Sequence, residues 1–417
     1  MAARVRTDGP WWAAAVAGVA IMSWLGLLGF AWSDYDNEVA AAARALIAGD
    51  VHAFLAQLPG YGGSLVLRAP FAGGIAALGG GELAVYRAFS IPCLVALALL
   101  ALIVVRRMGD GRNNLARALV LGIFVVNPLT LRALEFGHPE ELLCASLAIG
   151  AVLAAAGRRT VLAAILLGLA IATKLWAVLA IGPVLLALPQ RRVFALGLAG
   201  AVSFVVLLPI ALVGTHEMVI AGASVTGPIS TPWQLFWFLG DTGQFITNAN
   251  GVPRPEGWRV PPEWLSPLTH PLIALLVVPL SLAWAWLHRA REVAGEQLLL
   301  LLALLFLLRC ILDPWNLVYY ELPFLLALLT WEALSHPQRL PYGALAANAL
   351  VWLTFEPMRD WLSPDMQSAF FLAWALPLAA WLGRAVFVSA PRPKWAPAGH
   401  PIVAQPLGQS ARDEAFG

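Results

Sequence analysis

The stretch WWAAAVAGVAIMSWLGLLGFAWSDYDNE, residues 11 to 38, joins an apolar run to a cluster of acids. The run ends at Trp32, and Asp34, Asp36 and Glu38 follow it at once. About 20 apolar residues are enough for a helix to cross a hydrocarbon core of roughly 30 Å. The stretch therefore predicts a membrane-spanning helix with three carboxylates at its end, at the membrane edge.

Composition places the whole chain in the membrane class. Hydrophobic residues make up 60% of the 417 residues and charged residues only 12%, about half the usage in soluble domains. The net charge of +2 and the lack of a basic block exclude a nucleic-acid-binding protein. Cys93, Cys144 and Cys310 lie in apolar segments without metal-ligand spacing, so we expect buried thiols and no disulfide framework.

Apolar runs recur along the chain and predict an all-α, polytopic integral membrane protein with about 12 transmembrane helices. We expect one transmembrane domain over residues 1–390 and a disordered cytoplasmic tail at 391–417, which is Pro-rich and polar. The predicted spans are 11–32, 82–105, 118–134, 141–157, 160–173, 175–188, 193–214, 267–288, 296–313, 318–334, 340–357 and 365–387.

Positive charge orients these spans, because cytoplasmic loops carry an excess of Lys and Arg. With twelve spans all the basic clusters fall on one side, which predicts that both termini are cytoplasmic. The clusters lie at Arg4 and Arg6, 106–117, 157–160, 189–192, 288–291, 336–339 and 391–394. The external segments are then 33–81, 135–140, 215–266, 314–317 and 358–364.

Three segments depart from simple spans. A thirteenth span at 62–81 would break the parity, so we expect a re-entrant or surface-lying piece there. The short runs on either side of 173–176 predict a hairpin of half-length helices with Lys174 at its outer bend. The aromatic piece 232–240, in the large external loop, has the composition of an amphipathic interfacial helix or lid.

Several cations fall near the predicted outer ends of the helices, against the usual bias. Each costs roughly 2.5 to 3.5 kcal/mol at membrane depth, so each needs a partner, a cavity or a ligand. Internal pairs such as Arg309 with Asp313 and Arg132 with Glu135 are one explanation. An anionic lipid headgroup is the other, since Arg and Lys are the usual phosphate ligands. The cations are Arg68, Arg87, Arg132, Lys174 and Arg309.

Two polar strings fall on the same predicted face. LEFGHPEELL, residues 134–143, places His138, Glu140 and Glu141 in a tight turn, where they line a site or cap the next helix. RCILDPWNLVYYELP, residues 309–323, interrupts an apolar run with groups suited to a cavity wall or to an interfacial aromatic belt. Those groups are Asp313, Trp315, Asn316, Tyr319, Tyr320 and Glu321.

The order of these strings resembles the membrane-embedded GT-C glycosyltransferases, especially the polyprenyl-phosphate-sugar-dependent enzymes of glycosyltransferase family 87, which include actinobacterial mannosyltransferases. The resemblance covers most of residues 11–387. It rests on the acids after the first span, EVAAAARALIAGD, GHPEELL, LGLAIATKLWAVLAIGPVLLAL and LDPWNLVYY. It implies a GT-C-like fold, an extracytoplasmic active site, a first-loop acid as catalytic base, and basic residues that hold a lipid phosphate.

By position, Asp34, or else Asp36, corresponds to the first-loop acid, and Lys174 to a phosphate-binding cation. An acid can take the acceptor proton while the phosphate leaves under Arg and Lys stabilisation. Arg68 and Arg309 are further phosphate-binding candidates. The candidate sugar- or acceptor-binding residues are His138, Glu140, Asp313, Asn316, Trp315, Tyr319 and Trp233, with Trp237 beside them.

The prediction is therefore an inverting, monomeric glycosyltransferase of a bacterial cytoplasmic membrane. It moves a mannose-like sugar from a polyprenyl-phosphate donor to a glycan or glycolipid acceptor and needs no cofactor, although Asp34, Asp36, His138 and Glu140 could converge on a divalent metal. The alternatives are a transporter or flippase of a lipid-linked or anionic substrate, and a structural membrane protein. Sidedness separates the first two: an enzyme gathers its polar groups at one face, and a transporter needs a polar path to the other.

Overall fold

The chain is helical throughout the part that the structure, a computed structural model, describes. The described residues are 2–26, 33–59, 62–109, 113–213, 231–242, 256–262, 264–289 and 295–388. Outside the helices, these ranges contain turns and one isolated antiparallel bridge between Asp241 and Val260. The predicted tail at 391–417 lies outside the described residues.

The helices alternate with short turns along the described chain. The α-helices are α1 (Ala2–Leu25), α2 (Ser33–Glu38), α3 (Ala40–Ile47), α4 (Val51–Ala56), α5 (Gly63–Ala77), α6 (Glu82–Arg107), α7 (Asn114–Val125), α8 (Pro128–Glu135), α9 (Glu140–Ala156), α10 (Thr160–Thr173), α11 (Ile181–Ala187), α12 (Arg192–Val213), α13 (Leu265–Leu287), α14 (Gly295–Leu312), α15 (Leu322–Ser335), α16 (Tyr342–Phe355), α17 (Pro357–Trp361) and α18 (Pro364–Phe387). Short 3-10 helices cover Leu175–Ala180, Trp237–Leu239 and Val318–Glu321.

Six helical segments of the described part are long and apolar enough to cross a membrane. They are Glu82–Arg107, Asn114–Glu135, which comprises α7 and α8, Arg192–Val213, Pro267–Leu287, Gly295–Leu312 and Pro364–Phe387. The described chain is all-α, and these segments are compatible with a membrane-embedded protein by length and composition. The apolar pieces Gly9–Leu25, Gly63–Ala77, Thr160–Thr173 and Leu175–Ala187 are shorter, so the count of twelve crossings stays a prediction.

One predicted span is broken by local chemistry, and one predicted bend between spans is observed. The span at 118–134 consists of α7 and α8, because Pro128 cannot continue the helical hydrogen bonds and the Asn127 side chain accepts from the backbone N–H of Leu129. At the end of α10, Lys174 adopts an extended conformation with φ −150° and ψ 135°. A 3-10 turn and α11 follow, so Lys174 lies at a bend, as predicted.

The first predicted external segment forms a small helical layer. Helices α2 to α5 pack on the first half of α6 around their own apolar core, which includes Tyr35, Phe54 and Leu65. Helix α5 has 15 residues and a length of about 22 Å, too short for a perpendicular crossing. The sequence predicted an irregular piece here; its glycines and Pro70 are instead accommodated within a helix.

Helix α9 lies at the centre of the bundle and packs against α6, α10, α11, α14 and α15. Beyond its first turn its buried residues are almost all Ala, Leu, Ile and Val, with Cys144 and Ser146 among them. The acids of α9 therefore stand at one end of an apolar core.

The aromatic piece 232–240 is not an amphipathic helix. It forms a single 3-10 turn, and its backbone joins the bundle through the Leu235 N–H, which donates to the Ile311 carbonyl at 2.7 Å. Trp233 and Trp237 are buried in protein. The prediction was wrong in this respect because the aromatic side chains find partners inside the fold rather than at the lipid surface.

Helices α10 and α12 approach closely at Gly168, and this contact is testable. A Cβ on Gly168 would lie 2.5 Å from the Ala199 carbonyl oxygen and 2.8 Å from the Val202 Cβ. We predict that Gly168→Ala destabilises the protein by about 1–3 kcal/mol through overpacking, measured as a lower unfolding midpoint in detergent. Gly200→Ala, where a Cβ meets open space, is the matched control, and equal midpoints for the two variants would contradict this packing.

Candidate functional site

The turn before α9 sets the geometry of the site. Gly137 has φ +88°, in the left-handed region, and a Cβ there would lie 3.0 Å from Tyr35. The turn is closed by the His138 N–H, which donates to the Ala133 carbonyl at 2.8 Å. The chain thus reverses between α8 and α9 and points His138 and the first acids of α9 into the protein.

Glu140, the first residue of α9, is the centre of a buried ion cluster. Its Oε1 lies 2.8 Å from His138 Nδ1 and 3.1 Å from Lys174 Nζ. Its Oε2 lies 3.4 Å from Arg68 Nη2. The Glu140 side chain is only 1% exposed, so three cations from three separate segments meet one buried carboxylate.

Glu141 extends the cluster to α14. Its Oε1 lies 3.6 Å from Lys174 Nζ and its Oε2 lies 4.0 Å from Arg309 Nη1. Neither oxygen forms a hydrogen bond with any described residue. The Arg309 guanidinium also lies over the rings of Tyr320 and Trp176, at 4.3 Å and 4.9 Å.

Asp34 forms the accessible rim of this cluster. Its Oδ2 lies 3.3 Å from His138 Nε2 and accepts a hydrogen bond from the Tyr319 hydroxyl at 3.5 Å. Glu38 lies 3.9 Å from the same His138 nitrogen. The Asp34 side chain is 31% exposed and the Glu38 side chain 37%, against 6% for His138, and Asp36 is exposed. Asp34 and Glu38 thus both join the cluster and stay partly exposed, and Asp34 is the nearer of the two to His138.

Arg68 uses its donors within the protein. Its Nε donates to the Ser64 carbonyl at 3.0 Å and its Nη1 to the Phe89 carbonyl at 3.2 Å. Its Nη2 reaches the Ser64 hydroxyl and Glu140. Arg68 therefore ties α5 to α6 and α9, an arrangement that leaves little hydrogen-bonding capacity for a phosphate.

The string after α14 is divided between two roles. Tyr319 touches Asp34 and stacks 4.5 Å from the His138 ring. Asn316 instead donates to the Trp233 carbonyl at 2.9 Å and to Glu321 at 3.0 Å. Asn316 and Trp233 thus join this loop to the 231–240 segment.

Asp313 and Trp315 likewise serve the loop. The Asp313 carboxylate accepts from the Trp315 N–H at 3.0 Å and lies 3.6 Å from His270 Nε2. The predicted Arg309–Asp313 ion pair is absent among the described residues, since Arg309 turns to Glu141 on α9.

The predicted Arg132–Glu135 pair is confirmed at 2.6 Å, and Arg132 also binds Glu356, which lies between α16 and α17. Both acids are partly exposed. This group stands beside the buried cluster and needs no ligand to balance the Arg132 charge.

Charges in the cluster balance. Four carboxylates face four cations: Asp34, Glu38, Glu140 and Glu141 against Arg68, His138, Lys174 and Arg309. Burial alone would lower the pKa of His138, but the Glu140 carboxylate and the hydrogen bond with Asp34 outweigh it and raise the pKa to about 10. His138 is therefore an imidazolium at neutral pH. Burial raises the pKa of the nearby Glu38.

A metal does not fit the part of the chain that the structure describes. Asp34, His138 and Glu140 converge as expected, but each ring nitrogen of His138 already faces a carboxylate. In these ranges there is no group of three or more His, Cys, Asp or Glu side chains arranged around a metal position.

Buried ionisable groups concentrate at this end of the bundle. Arg117, near the start of α7 and stacked 4.7 Å from the Trp11 ring, and His288, after the end of α13, lie near the other helix ends. Between the two ends of the described bundle, the buried positions of α6, α9 and α14 carry no Asp, Glu, His, Lys or Arg. No polar path crosses this part of the core.

Compared with known proteins, the chain matches no family model, no curated protein and no solved structure. Function is therefore inferred from the residues of the site.

Glu141 was missing from the predicted site residues, although the sequence placed it in the same turn as Glu140. Its burial beside Lys174 and Arg309 depends on contacts between helices far apart in sequence. The sequence signal was the presence of two adjacent acids at the start of an otherwise apolar helix. Both acids are buried in the structure.

The central role of Glu140 yields a stability prediction. Glu140→Gln leaves Arg68 and Lys174 without their shared counter-charge, so we predict a loss of about 3–5 kcal/mol in the free energy of unfolding. Glu82→Gln, which breaks a surface pair with Arg44, should cost less than about 1 kcal/mol. Denaturant titration in detergent measures both, and a small loss for Glu140→Gln would contradict the cluster.

The charge on His138 predicts a pH dependence. Its folded-state pKa lies above the ordinary value of 6.5, so the stability it adds is complete below about pH 6.5 and is lost as pH rises through about 10. The difference in unfolding midpoint between wild type and His138→Gln should shrink between about pH 6 and pH 10.5. A difference that stays constant over this range would mean that His138 is neutral.

Proposed function

We propose that the protein is an inverting GT-C-type glycosyltransferase that moves a mannose-like sugar from a polyprenyl-phosphate donor to a glycan or glycolipid. The observation that carries the proposal is the pairing of a rim carboxylate, Asp34, with a buried set of cations at one end of a membrane-embedded bundle. In the proposed topology the chain crosses a bacterial cytoplasmic membrane twelve times, both termini are cytoplasmic, and the site faces outward.

Asp34 is the proposed general base. Transfer to a hydroxyl requires a carboxylate within hydrogen-bond reach of the acceptor proton while the phosphate leaves from the opposite face of the sugar. The contacts from His138 and Tyr319 orient the Asp34 carboxylate, and its exposed fraction leaves room for an acceptor. Asp36, the second choice, has the exposure but is not placed against the cluster.

Lys174 is the proposed principal phosphate ligand. Its side chain is 11% exposed, against 2% for Arg68 and 5% for Arg309. It projects from a break in the helices, where backbone and side chain can adjust to a ligand. Arg309 stands behind it and adds positive potential in a site of low dielectric, where fixed charges stabilise a leaving phosphate most strongly.

The apolar middle of the described helices favours an enzyme over a transporter. Alternating access requires a route for a polar substrate to both faces, usually through paired broken helices. The ion cluster stands at one level, and the helix break at Lys174 is part of that cluster. A structural role is also less favourable, since apolar packing would stabilise a bundle better than eight ionised groups.

The test is transfer of labelled sugar from synthetic polyprenyl-phosphate mannose to a membrane extract by the purified protein. We predict that Asp34→Asn lowers transfer by about 10²-fold or more, while the matched Asp36→Asn retains most of it. Lys174→Met should lower transfer and weaken binding of the donor. Unfolding midpoints show whether each variant is folded.

Two outcomes would contradict the proposal. Equal activity of Asp34→Asn and wild type would remove Asp34 as the base. No transfer by wild type from any polyprenyl-phosphate sugar, together with protein-dependent movement of the lipid across liposomes, would support the transporter instead.

A further inference from the structure

A groove on the outside of the bundle, between α1 and α6, lies apart from the ion cluster. It is a shallow cavity of about 290 Å³ lined by residues of α1 from Val16 to Trp24 and by Arg87 and Ile91 of α6. The residues of α1 lie on one face of that helix over about 12 Å of its length. Val16, Trp24 and Ile91 are 65%, 60% and 42% exposed, so the groove faces the surroundings of the bundle.

Arg87 gives this groove an uncompensated positive charge. Its guanidinium lies over the Trp24 ring at 5.1 Å. Its Nε is buried and has no hydrogen-bond acceptor among the described residues, nor does any carboxylate in those ranges pair with it within 4.0 Å. Arg68, on the neighbouring helix, has by contrast all its nitrogens occupied. A cation in an apolar, outward-facing groove can take its counter-charge from an anion outside the protein.

We propose that the groove binds an anionic glycerophospholipid, with the phosphate on Arg87 and an acyl chain along α1 towards Val16. A guanidinium fork matches phosphate oxygens. Trp24 beside it has the character of an interfacial anchor at headgroup level, and Ser23 adds a hydroxyl at the same level. The remaining lining is aliphatic and suits a hydrocarbon chain.

The bound phosphate is separate from the proposed donor site. Arg87 and Phe89 are two residues apart on α6, so they point to nearly opposite sides of the helix, about 160° apart. Phe89 is buried and its carbonyl accepts from Arg68, so the cluster lies on its side of α6. A phosphate on Arg87 therefore lies on the outer side of α6, away from Asp34 and Lys174.

Native mass spectrometry of the full-length protein in detergent tests this site with added phosphatidylglycerol. We expect wild type to retain phosphatidylglycerol more tightly than phosphatidylcholine, and Arg87→Gln to weaken retention by about tenfold or more. Arg87→Lys should keep part of the binding. Arg44→Gln, which removes an exposed arginine with the same change of charge, should bind as wild type does.

Three results would overturn the proposal. One is equal retention by wild type and Arg87→Gln when both are folded by unfolding midpoint. The second is displacement of the phospholipid from wild type by equimolar polyprenyl phosphate, which would assign the groove to the donor lipid. The third is a dimer that buries the groove and excludes lipid. These readouts are independent of sugar transfer, so failure of the proposed activity leaves them interpretable.

Discussion

The carboxylate of Glu140 contacts three cations that the fold gathers in a low-dielectric interior, and the rest of the site depends on it. Each of those cations, left unpaired, would cost several kcal/mol. Arg68 comes from α5, Lys174 from the break after α10, and His138 from the turn before α9. One carboxylate thus joins the layer formed by helices α2 to α5 to the centre of the bundle.

In the proposed function, the same arrangement would let a neutral cluster stabilise a charged ligand. The cations stay fixed because carboxylates hold them, so little reorganisation is needed when a ligand arrives. Glu141 forms no hydrogen bond with any described residue, and the Lys174 side chain, at 11%, is the most exposed of the four cations in the cluster. In the proposed reaction, Asp34 stands at the rim, where a substrate hydroxyl would reach it. The ion network would then position the ligand, and Asp34 would accept the proton.

Much of the fold followed from the sequence because apolar runs, prolines and polar turns act locally. The apolar runs in the described residues form helices, and the chain bends at Lys174 as expected. The acids near residue 34 lie close to the acids at the start of α9, as the sequence suggested. Contacts between distant segments were less predictable. Arg68 and Glu140 are 72 residues apart, and no local pattern pairs them. The four-residue spacing of Arg309 and Asp313 suggested an ion pair within one helix. Arg309 instead faces Glu141, which lies on α9.

A double-mutant cycle between Glu140 and Lys174 tests the ion cluster most directly. Free energies of unfolding would be measured for wild type, Glu140→Gln, Lys174→Met and the double variant in the same detergent. If the two side chains form the buried pair, the double variant is less destabilised than the sum of the single variants, with a coupling of about 1–3 kcal/mol. Additive losses, within about 0.3–0.5 kcal/mol, would mean that Glu140 does not hold Lys174, and the account of the site would fail.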